Sequence, residues 1–231
     1  MPYKDIQTNF KAYMAESPRV NSPVLVLLQY ICGVNQVMRN LADEIAQQGY
    51  TVVVPDMFWR IEPGIELIQD PSKPDPEQIK RSLELNAAFD DLNAQIDLKT
   101  VFNFCQALPN TNQKIGVLGY CLGGRLSYLM AAQGQVACAV SYYGVNLEKY
   151  LDLASKVACP MLVHIAEKDM LVPDEAKDAI RDRFSQLSQT TVITHPGVNH
   201  AFALPNGPNY VADVAKTANK QSMAFLNEHL R

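Results

Sequence analysis

Two features of this sequence predict an α/β fold with a mostly parallel central sheet and helices on both faces. Short runs of apolar and β-branched residues alternate with longer stretches of helical periodicity, a pattern typical of strands joined by crossover helices. Most of the later runs are continuously apolar, as expected of strands that are buried on both faces. The 231 residues are 48% hydrophobic, and no linker or internal repeat interrupts them, so one domain over residues 1–231 is predicted.

The elements follow in order along the chain. The predicted strands are Phe10–Ala15, Val24–Gln29, Tyr50–Val54, Lys114–Leu118, Ala137–Tyr142, Met161–Ile165 and Thr190–Thr194. The predicted helices are Gln36–Gln47, Glu77–Phe89, Leu92–Gln106, Leu122–Ala132, Asp174–Leu187 and Tyr210–Glu228. The connection between the first two strands is short, so we expect these two strands to pair in antiparallel fashion.

Two stretches lack either period and are predicted to be loops. Residues 57–76 contain four prolines, and loops of this length in a compact domain often form a lid or pocket wall. Phe58 and Trp59 are the candidates there for an apolar wall. Residues 195–209 form the second loop, which follows the last strand.

Composition narrows the functional classes. The chain has a formal net charge of −4 and no run of Lys or Arg, so we do not expect it to bind nucleic acid. No apolar run approaches the roughly 20 residues of a membrane span, and the first residues lack the apolar region of a signal peptide. Five cysteines without paired spacing indicate neither a disulfide framework nor a zinc site. A cytoplasmic protein that does not associate with membranes is the expectation.

The most specific local pattern is Gly119-Tyr120-Cys121-Leu122-Gly123-Gly124, which joins a predicted strand to a predicted helix. It matches the nucleophile elbow G-x-S-x-G of the α/β-hydrolase fold, with Cys121 in place of serine. The glycines permit a tight turn, and the helix N-terminus favours a thiolate. An inert buried cysteine in a glycine-rich turn is the alternative interpretation.

The α/β-hydrolase fold presents its acid and its histidine after the nucleophile in the chain. Asp169 follows the predicted strand Met161–Ile165 and is preferred to Glu167, although a turn-capping role explains it equally well by itself. His200 lies in the loop after the last strand, where this fold presents its base. His164 is expected to fill the core, and His195 to lie in the loop.

These three residues predict nucleophilic catalysis. His200 would activate Cys121, Asp169 would orient the imidazole, and the acyl group would pass through a thioester. The backbone N–H groups of Leu122 and Ile31 are the expected oxyanion donors. Esters and lactones suit a thiolate better than amides do, because the thiolate leaves before a poor amine.

Several motifs together resemble the dienelactone hydrolase (carboxymethylenebutenolidase) family. They are the elbow around Cys121, Ser141-Tyr142-Tyr143-Gly144-Val145, the Asp169 turn, Asn199-His200-Ala201-Phe202, Gly33-Val34-Asn35 with Met38-Arg39, and Gly49-Tyr50 leading to Pro55-Asp56. The resemblance extends from about Val24 to the last helix. It implies an α/β-hydrolase fold, a Cys-His-Asp triad, no metal or organic cofactor, and hydrolysis of an unsaturated lactone that carries a carboxylate.

The chain also departs from the family pattern. Tyr30 stands where the family has a glutamate beside the resting cysteine, and Leu204 and Ile79 stand where it has arginines that grip the carboxylate. Tyr30 is interpreted either as a packing aromatic or as a hydrogen-bond partner of the thiolate. The candidate pocket residues are Tyr30, Tyr142, Tyr143, Phe202 and Leu204.

Three readings of the function therefore stay open. The first is a dienelactone-hydrolase-like enzyme, the second an esterase or thioesterase for a neutral substrate, and the third a binding or redox-responsive protein of low activity. The expected partner is a small ester or lactone, and the expected assembly is a monomer or small homo-oligomer.

Overall fold

A computed structural model describes residues 2–231 and contains one eight-stranded sheet. The strands are β1 (Tyr3–Gln7), β2 (Phe10–Ala15), β3 (Ser22–Leu28), β4 (Thr51–Pro55), β5 (Thr111–Tyr120), β6 (Cys138–Tyr142), β7 (Met161–Ala166) and β8 (Thr190–His195). Their spatial order is β1-β2-β4-β3-β5-β6-β7-β8. The first three strands in this order pair antiparallel and the remaining pairs are parallel, which confirms the predicted fold class.

The described residues form six α-helices, of which five lie between strands of the sheet and the last follows β8. They are α1 (Gln36–Gln47), α2 (Pro76–Ala87), α3 (Asp91–Gln106), α4 (Leu122–Ala132), α5 (Asp174–Ser185) and α6 (Ala212–Leu230), and a 3₁₀ segment, Leu147–Lys156, follows β6. The buried apolar residues form two clusters, one on each face of the sheet. This is the arrangement that strands apolar on both faces require.

Three details of the fold differ from the sequence-based predictions. The strand β1 was not predicted, because its side chains are mostly exposed and polar. The predicted pairing of the first two strands is wrong, since β2 pairs with β1 and β4 and not with β3. Phe58 and Trp59 pack with the core on the α3 side of the sheet, where Trp59 stacks on Phe10 and donates to Asp97. They therefore do not form a pocket wall.

Local chemistry sets the ends of the helices that bear on the site. Asn35 caps α1 by accepting a hydrogen bond from the Met38 N–H at 3.2 Å, and Asp75 caps α2, which begins with Pro76. Both are favoured arrangements for a helix start. The helix α4 begins directly after Cys121, which makes no side-chain cap. Within residues 2–231, no helix has the length and apolar character needed to cross a membrane.

Candidate active site

The turn between β5 and α4 holds Cys121 in a conformation that few side chains adopt. Its φ of 58° and ψ of −114° lie outside the broad regions open to L-residues, and such strain concentrates at functional sites. The neighbouring backbone leaves no room for other side chains. A Cβ at Gly119 would lie 2.0 Å from the Gly123 oxygen, and one at Gly123 would lie 2.2 Å from the Leu28 oxygen. The two glycines are therefore a steric requirement of this turn.

The acid and the histidine come from adjacent loops. The Oδ2 atom of Asp169 lies 2.9 Å from Nδ1 of His200, and both side chains are almost fully buried. The other carboxylate oxygen of Asp169 accepts from the Leu171 N–H at 2.9 Å. Glu167, the alternative acid, is exposed and accepts from the Gly197 N–H. Of the two acids, Asp169 is therefore the partner of the imidazole.

Asn199 fastens these two loops to each other. Its Oδ1 atom accepts from the N–H of Met170 at 3.0 Å and from the N–H of His200 at 2.7 Å. The N–H of Lys168 donates to the Val198 oxygen nearby, at 2.8 Å. These bonds hold the backbone on both sides of Asp169 against the backbone that carries His200. The relative position of acid and histidine is thus fixed by main-chain contacts as well as by their own hydrogen bond.

The Nε2 atom of His200 is the ring nitrogen that Asp169 does not use. It is buried and has no hydrogen-bond partner among the described residues, and His200 and Cys121 line one cavity. Burial alone would lower the pKa of His200, but the Cys121 thiolate and the hydrogen bond to Asp169 outweigh it and raise this pKa to about 10. Hydrogen bonds between catalytic groups are often long in a ligand-free site and shorten when substrate binds.

A cavity of about 270 Å³ opens in front of Cys121. It is lined by Tyr30, Ile31, Cys32, Ile68, Pro71, Pro74, Ile79, Tyr120, Cys121, Tyr143, Leu171, His200, Ala201, Leu204 and Pro208. Three of these belong to the loop predicted over residues 57–76. Nearly every lining side chain is apolar or aromatic, as is usual for a pocket that binds small molecules.

Three of the five predicted pocket residues line this cavity, and two do not. Tyr30, Tyr143 and Leu204 are in the lining. Tyr142 is fully buried and its hydroxyl bonds to Asn219 and Ser222. Phe202 is fully buried as well and packs its ring edge-on against Tyr143. Assigning Tyr142 and Phe202 to the pocket was wrong, because both rings support the lining from behind.

Three tyrosines belong to the lining, Tyr30, Tyr120 and Tyr143, and Tyr30 and Tyr143 differ in their hydrogen bonding. The Tyr30 hydroxyl accepts from Nδ2 of Asn35 at 2.6 Å, and burial raises its pKa far above the usual value. The Tyr143 hydroxyl is buried without a partner, and its ring packs edge-on against His200 with centroids 5.0 Å apart. Tyr143 therefore offers an unused hydrogen-bond donor next to the imidazole.

Both expected oxyanion donors are near the thiol. Leu122 is the first residue of α4, so its N–H has no acceptor within the helix. Ile31 follows β3 by three residues and lines the cavity. Together with the start of α4, these groups provide positive potential beside Cys121.

Two features of the site were missed from the sequence. Cys32 lines the same cavity as Cys121, and burial raises the pKa of its thiol to about 12. His195 is the last residue of β8 and lies 2.9 Å from the His164 ring, whose other nitrogen is 2.9 Å from the Ser222 hydroxyl. The expectation of a loop position for His195 was wrong. Cavity contacts and pairings of this kind depend on residues far apart in the chain.

Comparison with known proteins agrees with the fold and the motifs. A sequence profile described as the dienelactone hydrolase family matches residues 10–230. The chain is 36% identical over 217 residues to a carboxymethylenebutenolidase of Pseudomonas putida, covering 94% of this chain and 90% of that protein. It is 31% identical over 217 residues to carboxymethylenebutenolidase 1 of Cupriavidus pinatubonensis, covering 94% and 91%. The crystal structure of a dienelactone hydrolase from Anabaena variabilis superimposes with a TM-score of 0.66 at 16% identity, over 96% of this chain and 93% of that one.

Proposed function

Since the chain belongs to the dienelactone hydrolase family and is a hydrolase of that type, we propose that it opens an ester or lactone with Cys121 as nucleophile, His200 as proton carrier and Asp169 as the group that orients the imidazole. The observation that carries this proposal is the 2.9 Å bond from His200 to Asp169, behind an imidazole whose free nitrogen faces the cavity of Cys121. Nucleophile, base and orienting acid in this relation form the usual triad.

The raised pKa of His200 supports its role as the acceptor of the thiol proton. Once Cys121 has ionised, the thiolate and the hydrogen bond to Asp169 hold the pKa of His200 at about 10, so the imidazole keeps the proton at neutral pH. Asp169 accepts the hydrogen bond from Nδ1 and so keeps the proton to be transferred on Nε2. The thiolate formed in this way is the nucleophilic form of cysteine.

The reaction then follows in two halves. The thiolate attacks the carbonyl carbon, and the oxygen becomes an oxyanion that accepts hydrogen bonds from the N–H groups of Leu122 and Ile31. When the tetrahedral intermediate collapses, the C–O bond breaks and His200 gives its proton to the departing alkoxide. Water next attacks the thioester while neutral His200 takes its proton, which releases the carboxylic acid and restores the thiolate. Each oxyanion donor is expected to contribute roughly 100-fold to 1,000-fold in rate.

A burst assay with p-nitrophenyl acetate tests this mechanism. We expect rapid release of one nitrophenolate per active site, followed by slower turnover, and a mass increase of one acetyl group on Cys121 in the quenched protein. Cys121→Ala should abolish both the burst and the acetylation. Cys105→Ala is the matched control, because Cys105 is buried in the opposite core, away from the cavity, and should change neither.

The same assay contains the outcome that would refute the proposal. Turnover by Cys121→Ala equal to that of the parent protein would show that the cysteine is not the nucleophile. Acetylation of a residue other than Cys121 would show the same.

A further inference from the structure

The cavity in front of Cys121 contains no group that can neutralise a negative charge within its apolar part. Its lining holds no Lys, Arg, Asp or Glu, and its only ionisable side chains besides tyrosines are Cys121, Cys32 and His200. His200 is already engaged by Asp169. A substrate carboxylate in the cavity would therefore lose its water and gain no cation.

The cations next to this lining along the chain do not belong to it. Arg81 follows Ile79 by two residues, but its guanidinium pairs with Glu62 at 2.5 Å and with Glu84 at 3.1 Å. Lys73 and Lys80 adjoin the lining residues Pro74 and Ile79, but both are exposed and neither lines the cavity. The wall that a group bound against Cys121 would meet therefore includes none of these three side chains.

The apolar lining also continues to the surface. Ile79 is 39% exposed and Leu171 is 51% exposed, and both belong to the cavity wall. A group that extends from the reacting carbonyl thus meets apolar side chains from the thiol to the rim. An aliphatic or aromatic group gains free energy from this burial, whereas an unpaired carboxylate is penalised.

We propose that this site selects esters or lactones whose acyl part is uncharged and apolar, and that Ile79, Leu171 and Leu204 are the residues that impose the selection. The buried Tyr143 hydroxyl, which lacks a partner and whose ring packs against His200, supplies a side-chain donor for a neutral oxygen of such a substrate. This inference rests on the proposed function, because it concerns the substrate of the same site.

A matched pair of aryl esters tests it at pH 7. The pair is p-nitrophenyl hexanoate and the mono-p-nitrophenyl ester of adipic acid, which have acyl chains of equal length and the same leaving group. After subtraction of spontaneous hydrolysis, we expect kcat/KM for the hexanoate to exceed that for the adipate at least 10-fold. A preference below 10-fold would overturn the inference.

Two arginine substitutions on one helix give the control. Ile79→Arg puts a cation into the cavity wall and should lower the preference for hexanoate at least 10-fold. Leu83→Arg adds the same charge one turn later on α2, at a side chain that is exposed and outside the lining, and should leave the preference unchanged. Equal effects of the two variants would overturn the inference. If Ile79→Arg does not fold, Leu171→Arg tests the same expectation at another residue of the cavity wall.

Binding to Cys121→Ala separates this inference from the proposed mechanism. Calorimetric titration of this variant with both esters should show weaker binding of the adipate, whether or not the parent protein turns either ester over. Absence of turnover in the parent with retained discrimination in binding would refute the mechanism alone. Turnover of both esters with equal dissociation constants would refute the selection alone.

Discussion

The buried His164 ring makes the stability of this protein depend on pH in a direction that the structure fixes. Burial and the neighbouring His195 lower the pKa of His164 to about 3, from an unperturbed value near 6.5. The unfolded chain therefore binds the proton first as the pH falls, so the contribution of His164 to stability is intact above pH 6.5 and is lost toward pH 3. Between pH 7 and pH 5 the loss amounts to about 2 kcal/mol, since each pH unit below the unfolded pKa is worth about 1.4 kcal/mol.

Urea unfolding at the two pH values, with His164→Gln as the reference protein, measures this loss. Glutamine does not titrate and can still reach the Ser222 hydroxyl that His164 contacts at 2.9 Å. His200 is present in both proteins, so its own titration cancels in the comparison. His195 contacts His164 and is coupled to it, so the measured difference belongs to this pair. The parent should lose about 2 kcal/mol more than the variant on going from pH 7 to pH 5. Losses that agree to within about 0.5 kcal/mol would refute the reasoning, as would an NMR titration in which the buried ring protonates near pH 6.

Three further predictions concern the site. The kcat/KM value for an alkyl ester such as ethyl acetate, whose alkoxide takes the proton of His200 as it departs, should fall as the pH rises through about 10, where His200 loses that proton. Asp169→Asn should move this fall to lower pH because the neutral amide no longer stabilises the imidazolium; an unchanged midpoint would contradict the role of Asp169. Asn199→Ala should reduce kcat at least about 10-fold by releasing the two N–H groups that Asn199 joins, and should reduce the unfolding free energy by about 1 to 3 kcal/mol. Asn199→Asp keeps the acceptor oxygen and should retain more activity. Equal activity of the two variants would count against this role of Asn199. Gly123→Ala should destabilise the protein by about 3 kcal/mol or more in urea unfolding, since its Cβ would overlap the Leu28 oxygen at 2.2 Å. Gly134→Ala, whose Cβ meets nothing within 4 Å but whose φ is +74°, should cost only the backbone strain of about 1 to 2 kcal/mol.

Elements with a local signal could be predicted from the sequence with close to their observed ends. The bounds of α1 and α4 agree with the structure, because α1 has a capping asparagine and α4 begins at the elbow. Strand β2 also has its predicted bounds, and the remaining helices and the other six predicted strands differ only at their ends. Strand β1 carried no such signal, because the side chains of this edge strand are mostly exposed and polar and show no alternation of apolar and polar residues. The order of β2, β4 and β3 depends on pairings between distant segments, which periodicity does not encode.

The same distinction applies to the candidate site. Chain order was enough to select Asp169 and His200, which the structure brings within 2.9 Å of each other. The orientation of Tyr142 and Tyr143 was not predictable, because adjacent residues at a strand end point to opposite sides and the register decides which ring faces the cavity. The catalytic roles of Cys121, Asp169 and His200 stay predictions, and so does a single domain over residues 1–231.

Part of the cavity wall lies apart from the groups that would perform the chemistry. Cys121, Asp169 and His200 follow β5, β7 and β8 at the carboxyl edge of the sheet, where backbone hydrogen bonds between neighbouring loops restrain them. Much of the wall comes from residues 68–79, which lie outside the sheet and include Ile68, Pro71 and Ile79. Substitutions in that segment alter the polarity that a substrate meets without touching the hydrogen bonds of His200. This separation explains how a chain can keep the motifs of a family that includes carboxymethylenebutenolidases and yet present an apolar wall at Ile79. It also means that activity toward simple esters and preference for an uncharged acyl group are separable properties, which independent substitutions should change one at a time.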